Sequence, residues 1–209
     1  MSQVSEKTTS RSRNHEATEQ KLTDACGAIL LSKGPEGIGV NNVVEKAGVG
    51  KQLLYRYFDG LPGLVSAWLE QRANWPTAAD LVGDRDSFDA LSLKDKIKRI
   101  QRNYLAALRE HPEITRLMAS EILHPTAVTQ VLESASDKIG RELASILQDL
   151  GEGDQQRMVD LSMVFYCMFS YLTMRAQTSP LVFGMDLNDD NSWARIDRLI
   201  DNLVDSYLD

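Results

Sequence analysis

The stretch from Val40 to Phe58, VNNVVEKAGVGKQLLYRYF, decides how the rest of the chain is read. Val43, Val44 and Ala47 fall on one face of a short helix. Gly48 follows, where a turn with positive φ needs a residue without Cβ. Val49 is an apolar plug inside that turn. A second helix is expected from about Lys51 to Tyr57. It is too short to be stable alone, so Leu54 and Phe58 must bury against neighbours. Its other face carries Lys51, Gln52, Tyr55 and Arg56. Cations and hydroxyls suit phosphates; an amide and a guanidinium suit base edges in a major groove.

This helix-turn-helix resembles that of the TetR/AcrR family of bacterial transcriptional regulators. The matching residues are Ala47-Gly48-Val49 at the turn and Leu54-Tyr55-Arg56-Tyr57-Phe58 in the second helix. The resemblance implies an all-α chain: an N-terminal three-helix DNA-binding domain, then a helical ligand-binding and dimerisation domain. The expected bounds are 1–14 for a flexible polar arm, 15–61 for the head and 62–209 for the body. Lys51 and Gln52 are expected to read bases, Tyr55 and Tyr57 to touch phosphates, and Arg56 to do either. Packing is the alternative for both tyrosines. Asn41 or Asn42 is the candidate helix cap, and Asn41 a candidate DNA contact.

The chain departs from the family pattern in two places. Gly39 and Val40 stand where a Thr or Ser usually caps the helix and touches a phosphate. Leu61 stands where a Lys often makes a backbone contact. A helical sensor whose head no longer binds DNA is therefore the rival reading.

The 209 residues allow one large domain or two small ones. The net charge of −7 at first argues against a nucleic-acid partner, but it is unevenly spread. Residues 1–59 hold 8 Lys and Arg against 7 Asp and Glu, a net +1, and the remainder carries −8. The head must therefore gather its cations on one face, with a strong salt dependence. The longest apolar run, Met163 to Phe169, is too short for a bilayer, and no signal-peptide core precedes the first helix. A cytoplasmic location is expected. Cys26 and Cys167 both sit among apolar residues and read as buried free thiols.

Helix one should run from Glu16 to Lys33, with Leu22, Ala25, Cys26, Ile29 and Leu30 inward and Gly34-Pro35 as its stop. Helix four is expected from Pro62 to Ala73; it links head and body and reads as the lever between ligand and DNA. Residues 76–91 have no clear period, and Asp84-Arg85-Asp86 reads as a solvated loop. Later helices are expected over Leu93–Glu110, Glu113–Leu123 and Val128–Leu150, the last stopped by Gly151 and Gly153.

The segment from Asp154 to Thr178 is apolar on nearly every side between Leu161 and Met174, so it is either buried all round or shared between chains. The tail helix, Ser192 to Leu208, has one apolar stripe with Asp197, Asp201 and Asp205 opposite. With the family resemblance, these two helices imply a four-helix homodimer interface. Its expected residues are Leu161, Met168, Leu172, Ile196, Leu199, Ile200, Leu203, Val204 and Tyr207. A two-fold dimer would match a palindromic operator on double-stranded DNA.

The family also implies a small-molecule pocket. Its candidate wall is Trp68, Tyr104, Met118, Ile122, Phe165, Tyr166 and Phe169, which suits an apolar or aromatic effector; plain core is the alternative for each. Repression relieved by that effector is the sense the resemblance implies, with activation as the alternative. No catalytic constellation, metal-ligand spacing or phosphate loop is present, so neither an enzyme nor a cofactor is expected.

Overall fold

A computed structural model describes residues 3–71, 75–147 and 152–208. The architecture is all-α apart from one small hairpin. The helices are α1 (Gln3–Lys33), α2 (Val40–Ala47), α3 (Lys51–Phe58), α4 (Leu61–Gln71), α5 (Ala78–Val82), α6 (Arg85–Asp89), α7 (Leu93–Glu110), α8 (Pro112–Leu123), α9 (Val131–Ile146), α10 (Glu152–Thr178) and α11 (Asp190–Tyr207). Strands β1 (Leu181–Val182) and β2 (Met185–Asp186) pair antiparallel. No helix among the described residues is long and apolar enough to cross a membrane. The expected end of helix four at Ala73 and the helix stop at Gly151 lie outside the described residues.

The chain divides into two compact units: residues 1–74 with 120–132, and residues 75–119 with 133–209. This corrects the expected boundary after residue 61, because α4 belongs to the first unit, packed on α1 and α3. Two glycines allow that packing. A Cβ on Gly27 of α1 would lie 2.3 Å from the indole Nε1 of Trp68 on α4. A Cβ on Gly63 would lie 1.9 Å from the Phe58 carbonyl oxygen. Leu22, Cys26, Ile29, Val43, Leu54, Leu64, Val65 and Trp68 form the buried centre of the unit. Burial pushes the Cys26 thiol up to about 12, so it stays protonated at neutral pH. The polar stretch expected as an arm is helical backbone from Gln3 onward. Extending a packed helix costs far less than starting one.

In the second unit α7 packs against α5, α10 and α11. Its apolar stripe buries Ile97, Ile100, Leu105 and Leu108. A second row, Lys94, Lys98 and Arg102, meets the carboxylate row of α11. Arg102 holds Asp197 through Nε at 2.7 Å and through Nη2 at 3.2 Å, and Asp201 through Nη2 at 2.8 Å. Lys98 Nζ lies 2.7 Å from Asp205, and Lys94 Nζ donates to the Asp205 carbonyl at 3.3 Å. Those bonds hold the Arg102 guanidinium above its usual pKa, the Asp197 hydrogen bond first among the causes. The aspartates are therefore paired within the chain.

Asp84-Arg85-Asp86, expected as a loop, instead cap and begin helix α6, and α5 precedes it in the stretch without a clear period. Thr77 and Asp80 form a capping box at the start of α5, and Asp84 caps α6 through the Ser87 N–H at 2.9 Å. Leu81, Val82 and Phe88 are buried. The helices are five residues each, too short for an apolar period to show. The hairpin turns on Phe183 and Gly184, with φ of 47° and 77°; a non-Gly residue in that region hides it from a turn search.

Two stability tests follow from these contacts. Gly27→Val should lower unfolding free energy by about 2 kcal/mol, since the buried indole of Trp68 would have to move; an unchanged urea midpoint would show otherwise. Arg102→Ala should cost about 1 kcal/mol at low salt and less at high salt, because the pairs are partly exposed; equal losses at both salts would assign the effect to packing.

Candidate nucleic-acid interface and cavity

The head element follows from its local chemistry. Helix α2 starts at Val40, with Gly39 extended before it and no side-chain cap. The expected Asn cap is corrected: Asn42 donates instead to the Gly37 carbonyl at 2.9 Å, and Asn41 is exposed. Gly48 ends α2 in the left-handed region, φ 65°, as the turn requires. Val49 N–H then bonds the Val44 carbonyl at 3.1 Å, which closes the turn. Gly50 precedes α3, again without a side-chain cap.

Helix α3 buries Leu54 completely and half-buries Leu53 and Phe58. The opposite side exposes Lys51, Gln52, Tyr55 and Arg56 together. Lys51 Nζ sits 5.9 Å over the centre of the Tyr55 ring, so the cation and the phenol form one patch. Tyr57 stands apart from them. It is half-buried, and its ring packs 4.2 Å from that of His15 on α1. Leu61, at the place of the family's Lys, is half-buried at the start of α4.

The second unit contains a cavity of about 490 Å³. Its walls come from α7 (Ile97, Ile100, Gln101, Tyr104), from α9, and from α10 (Met158, Val159, Ser162, Met163, Tyr166), with Trp75 and Leu81. Of the seven wall residues expected from sequence, Tyr104 and Tyr166 line it, their rings 6.3 Å apart and near-parallel. The other five are placed elsewhere. Trp68 is in the centre of the first unit against Gly27. Met118, Phe165 and Phe169 are buried and do not line the cavity, and Ile122 is 72% exposed. Aromatic size and helical spacing cannot separate a cavity wall from close-packed core.

Burial raises the Tyr104 hydroxyl well above its usual pKa, with Tyr166 adding to the effect. Ser170 opposes it only in part and does not meet hydrogen-bond geometry with Tyr104. The wall residues that sequence reasoning missed are small or polar: Gln101, Ser162, and the row Ser136, Gly140, Ala144 on α9. Their four-residue spacing was the available signal.

The expected dimer residues divide by burial. Leu161, Leu172, Ile196, Ile200 and Val204 are buried inside the protomer. That corrects their reading as a surface: α11 lays its stripe on α7 rather than keeping it for a partner. Leu199 and Tyr207 are exposed, and Met168 and Leu203 are half-buried. Beside them on α10, Val164, Cys167 and Tyr171 are exposed. Tyr207 Oη donates to Asp160 Oδ2 at 3.0 Å, which ties the end of α11 to the early turns of α10. Cys167 is thus a surface thiol, contrary to its expected burial.

No family model and no curated protein sequence matches the chain. Among solved structures it is similar to a candidate TetR-family transcriptional regulator from Mesorhizobium loti MAFF303099. The two share 17% sequence identity at a TM-score of 0.59, over 93% of this chain and 96% of that one. At that identity the likeness speaks for the backbone arrangement alone, and the chain has the all-α fold of a TetR-family regulator.

Proposed function

We propose that this protein is a DNA-binding transcriptional regulator that acts as a homodimer and answers to a small molecule. One observation carries the reading: the short α3 buries Leu54, half-buries Leu53 and Phe58, and leaves Lys51, Gln52, Tyr55 and Arg56 together on the outside. That set suits a major groove, with Gln52 and Arg56 for base edges and Tyr55 for a phosphate. Lys51, expected from the sequence to read a base, is assigned to a phosphate instead, because its ammonium lies over the Tyr55 ring. Asn41, exposed in the first turn of α2, is placed at the backbone. Tyr57 is assigned to packing on His15. Repression is the expected sense: an effector that prefers a conformation unable to span both half-sites shifts the population and frees a palindromic operator.

The dimer is assigned to the exposed Val164, Cys167, Tyr171, Leu199 and Tyr207 of α10 and α11, with the half-buried Met168 and Leu203 beside them. The rival reading, a sensor with a head that no longer binds DNA, is favoured by Leu61 and by the uncapped start of α2. A gel shift on the protein's own upstream DNA at two salt concentrations separates the two, since only the first gives a salt-dependent complex.

Lys51→Ala and Tyr55→Ala should each weaken that complex by roughly five- to tenfold, and Lys51→Ala should lower the salt slope by about one. Full affinity in both variants would reject the docking of α3. Leu199→Asp and Val164→Glu should each raise the dimer dissociation constant roughly a hundredfold, because an unpaired carboxylate would be buried. A dimer of unchanged mass by light scattering in both would reject this face.

A further inference from the structure

We infer that the cavity of the second unit takes an uncharged, elongated, mainly apolar molecule, anchored by hydrogen bonds to Gln101, Ser162 and Tyr104. The inference rests on the ligand-responsive reading above and specifies its effector.

The shape of the site comes from missing side chains. Ser136, Gly140 and Ala144 follow one another at four-residue spacing on α9 and line the cavity with Val159, Met163 and Tyr166 of α10. A Cβ on Gly140 would meet nothing within 4 Å. Gly140 and Ala144 are exposed, so the space is a groove along two helices that opens to solvent on the α9 side. From Ser136 to Ala144 the axis rises about 12 Å, which sets the length of an occupant at two or three rings or a comparable chain.

The chemistry of the wall sets its charge. Among the described residues that line the groove, no Lys, Arg or His is present, and Asp137 is the only charged residue and is itself exposed. A buried carboxylate would find no cation there, and a buried ammonium would find no enclosed anion. The polar exceptions are Gln101, Ser136, Ser162, the Tyr104 hydroxyl and the Trp75 indole N–H, the last two buried without a hydrogen bond among the described residues. Gln101 is 4% exposed, and its one hydrogen bond among the described residues is a long one, from Nε2 to Ser162 Oγ at 3.3 Å. Its carbonyl oxygen has no partner among the described residues. A hydroxyl or carbonyl on the occupant can bond to Gln101 and to Ser162, and to the Tyr104 hydroxyl on the same helix as Gln101, in a wall that is mostly apolar.

Calorimetry on the full chain, without DNA, tests this with four matched probes: 4-biphenylmethanol, 4-methylbiphenyl, 4-biphenylcarboxylate and 4-biphenylmethylammonium. The alcohol should bind at least about tenfold more tightly than either ion and severalfold more tightly than the hydrocarbon. Gln101→Leu should lower the preference for the alcohol over the hydrocarbon, and Gln101→Leu combined with Tyr104→Phe should erase it. Gly140→Leu should cost at least about tenfold in affinity with no loss of thermal stability, since its side chain enters open space and replaces a helical glycine. No binding of the alcohol, equal binding of an ion, or unchanged affinity in Gly140→Leu would overturn the assignment. These results are independent of the gel shift: a protein that binds the alcohol but no DNA keeps this site and loses the regulator reading, and the reverse result does the opposite.

Discussion

An isolated helix of eight residues does not hold together in water, so α3 exists only because its neighbours hold it. Leu54 is fully buried beneath it, and α4 approaches so closely after it that position 63 admits no Cβ. The indole of Trp68 presses on Gly27 from the same helix α4. The exposed set on α3 is therefore presented by a rigid three-way packing of α1, α3 and α4. A groove-reading surface needs that rigidity, because a side chain displaced by about an ångström loses its bidentate geometry.

The second unit is organised by α7, whose faces do different work. One buries Ile97, Ile100, Leu105 and Leu108; another carries the cations that meet Asp197, Asp201 and Asp205. Gln101 and Tyr104, on the same helix, line the cavity. Consecutive residues thus serve different neighbours: Gln101 faces the groove while Arg102 grips α11. The acidity of the body, which at first argues against a DNA partner, is spent in part on this internal pairing.

Much of the head was legible in advance. The turn at Gly48, the stop at Gly34-Pro35 and the inward Leu54 follow from local backbone preferences and a helical period. The outward set on α3 followed as well, because a short helix has only one face left over. The pocket and the dimer surface were not legible to the same degree. Trp68 and Phe165 look alike in sequence, yet the first belongs to the head and the second to the body core. Ile196, Ile200 and Val204 form a stripe that any neighbour can cover, and α7 of the same chain covers it.

The amino-acid sequence by itself determined where helices begin, where most end and which faces are apolar, since these depend on residues within a turn or two of each other. Only the tertiary structure decided which helix covers each stripe, which apolar residues stay exposed on α10, and that the row Ser136, Gly140, Ala144 borders empty space. Those outcomes depend on partners far away along the chain, and a periodic pattern records that a face needs cover without recording what supplies it.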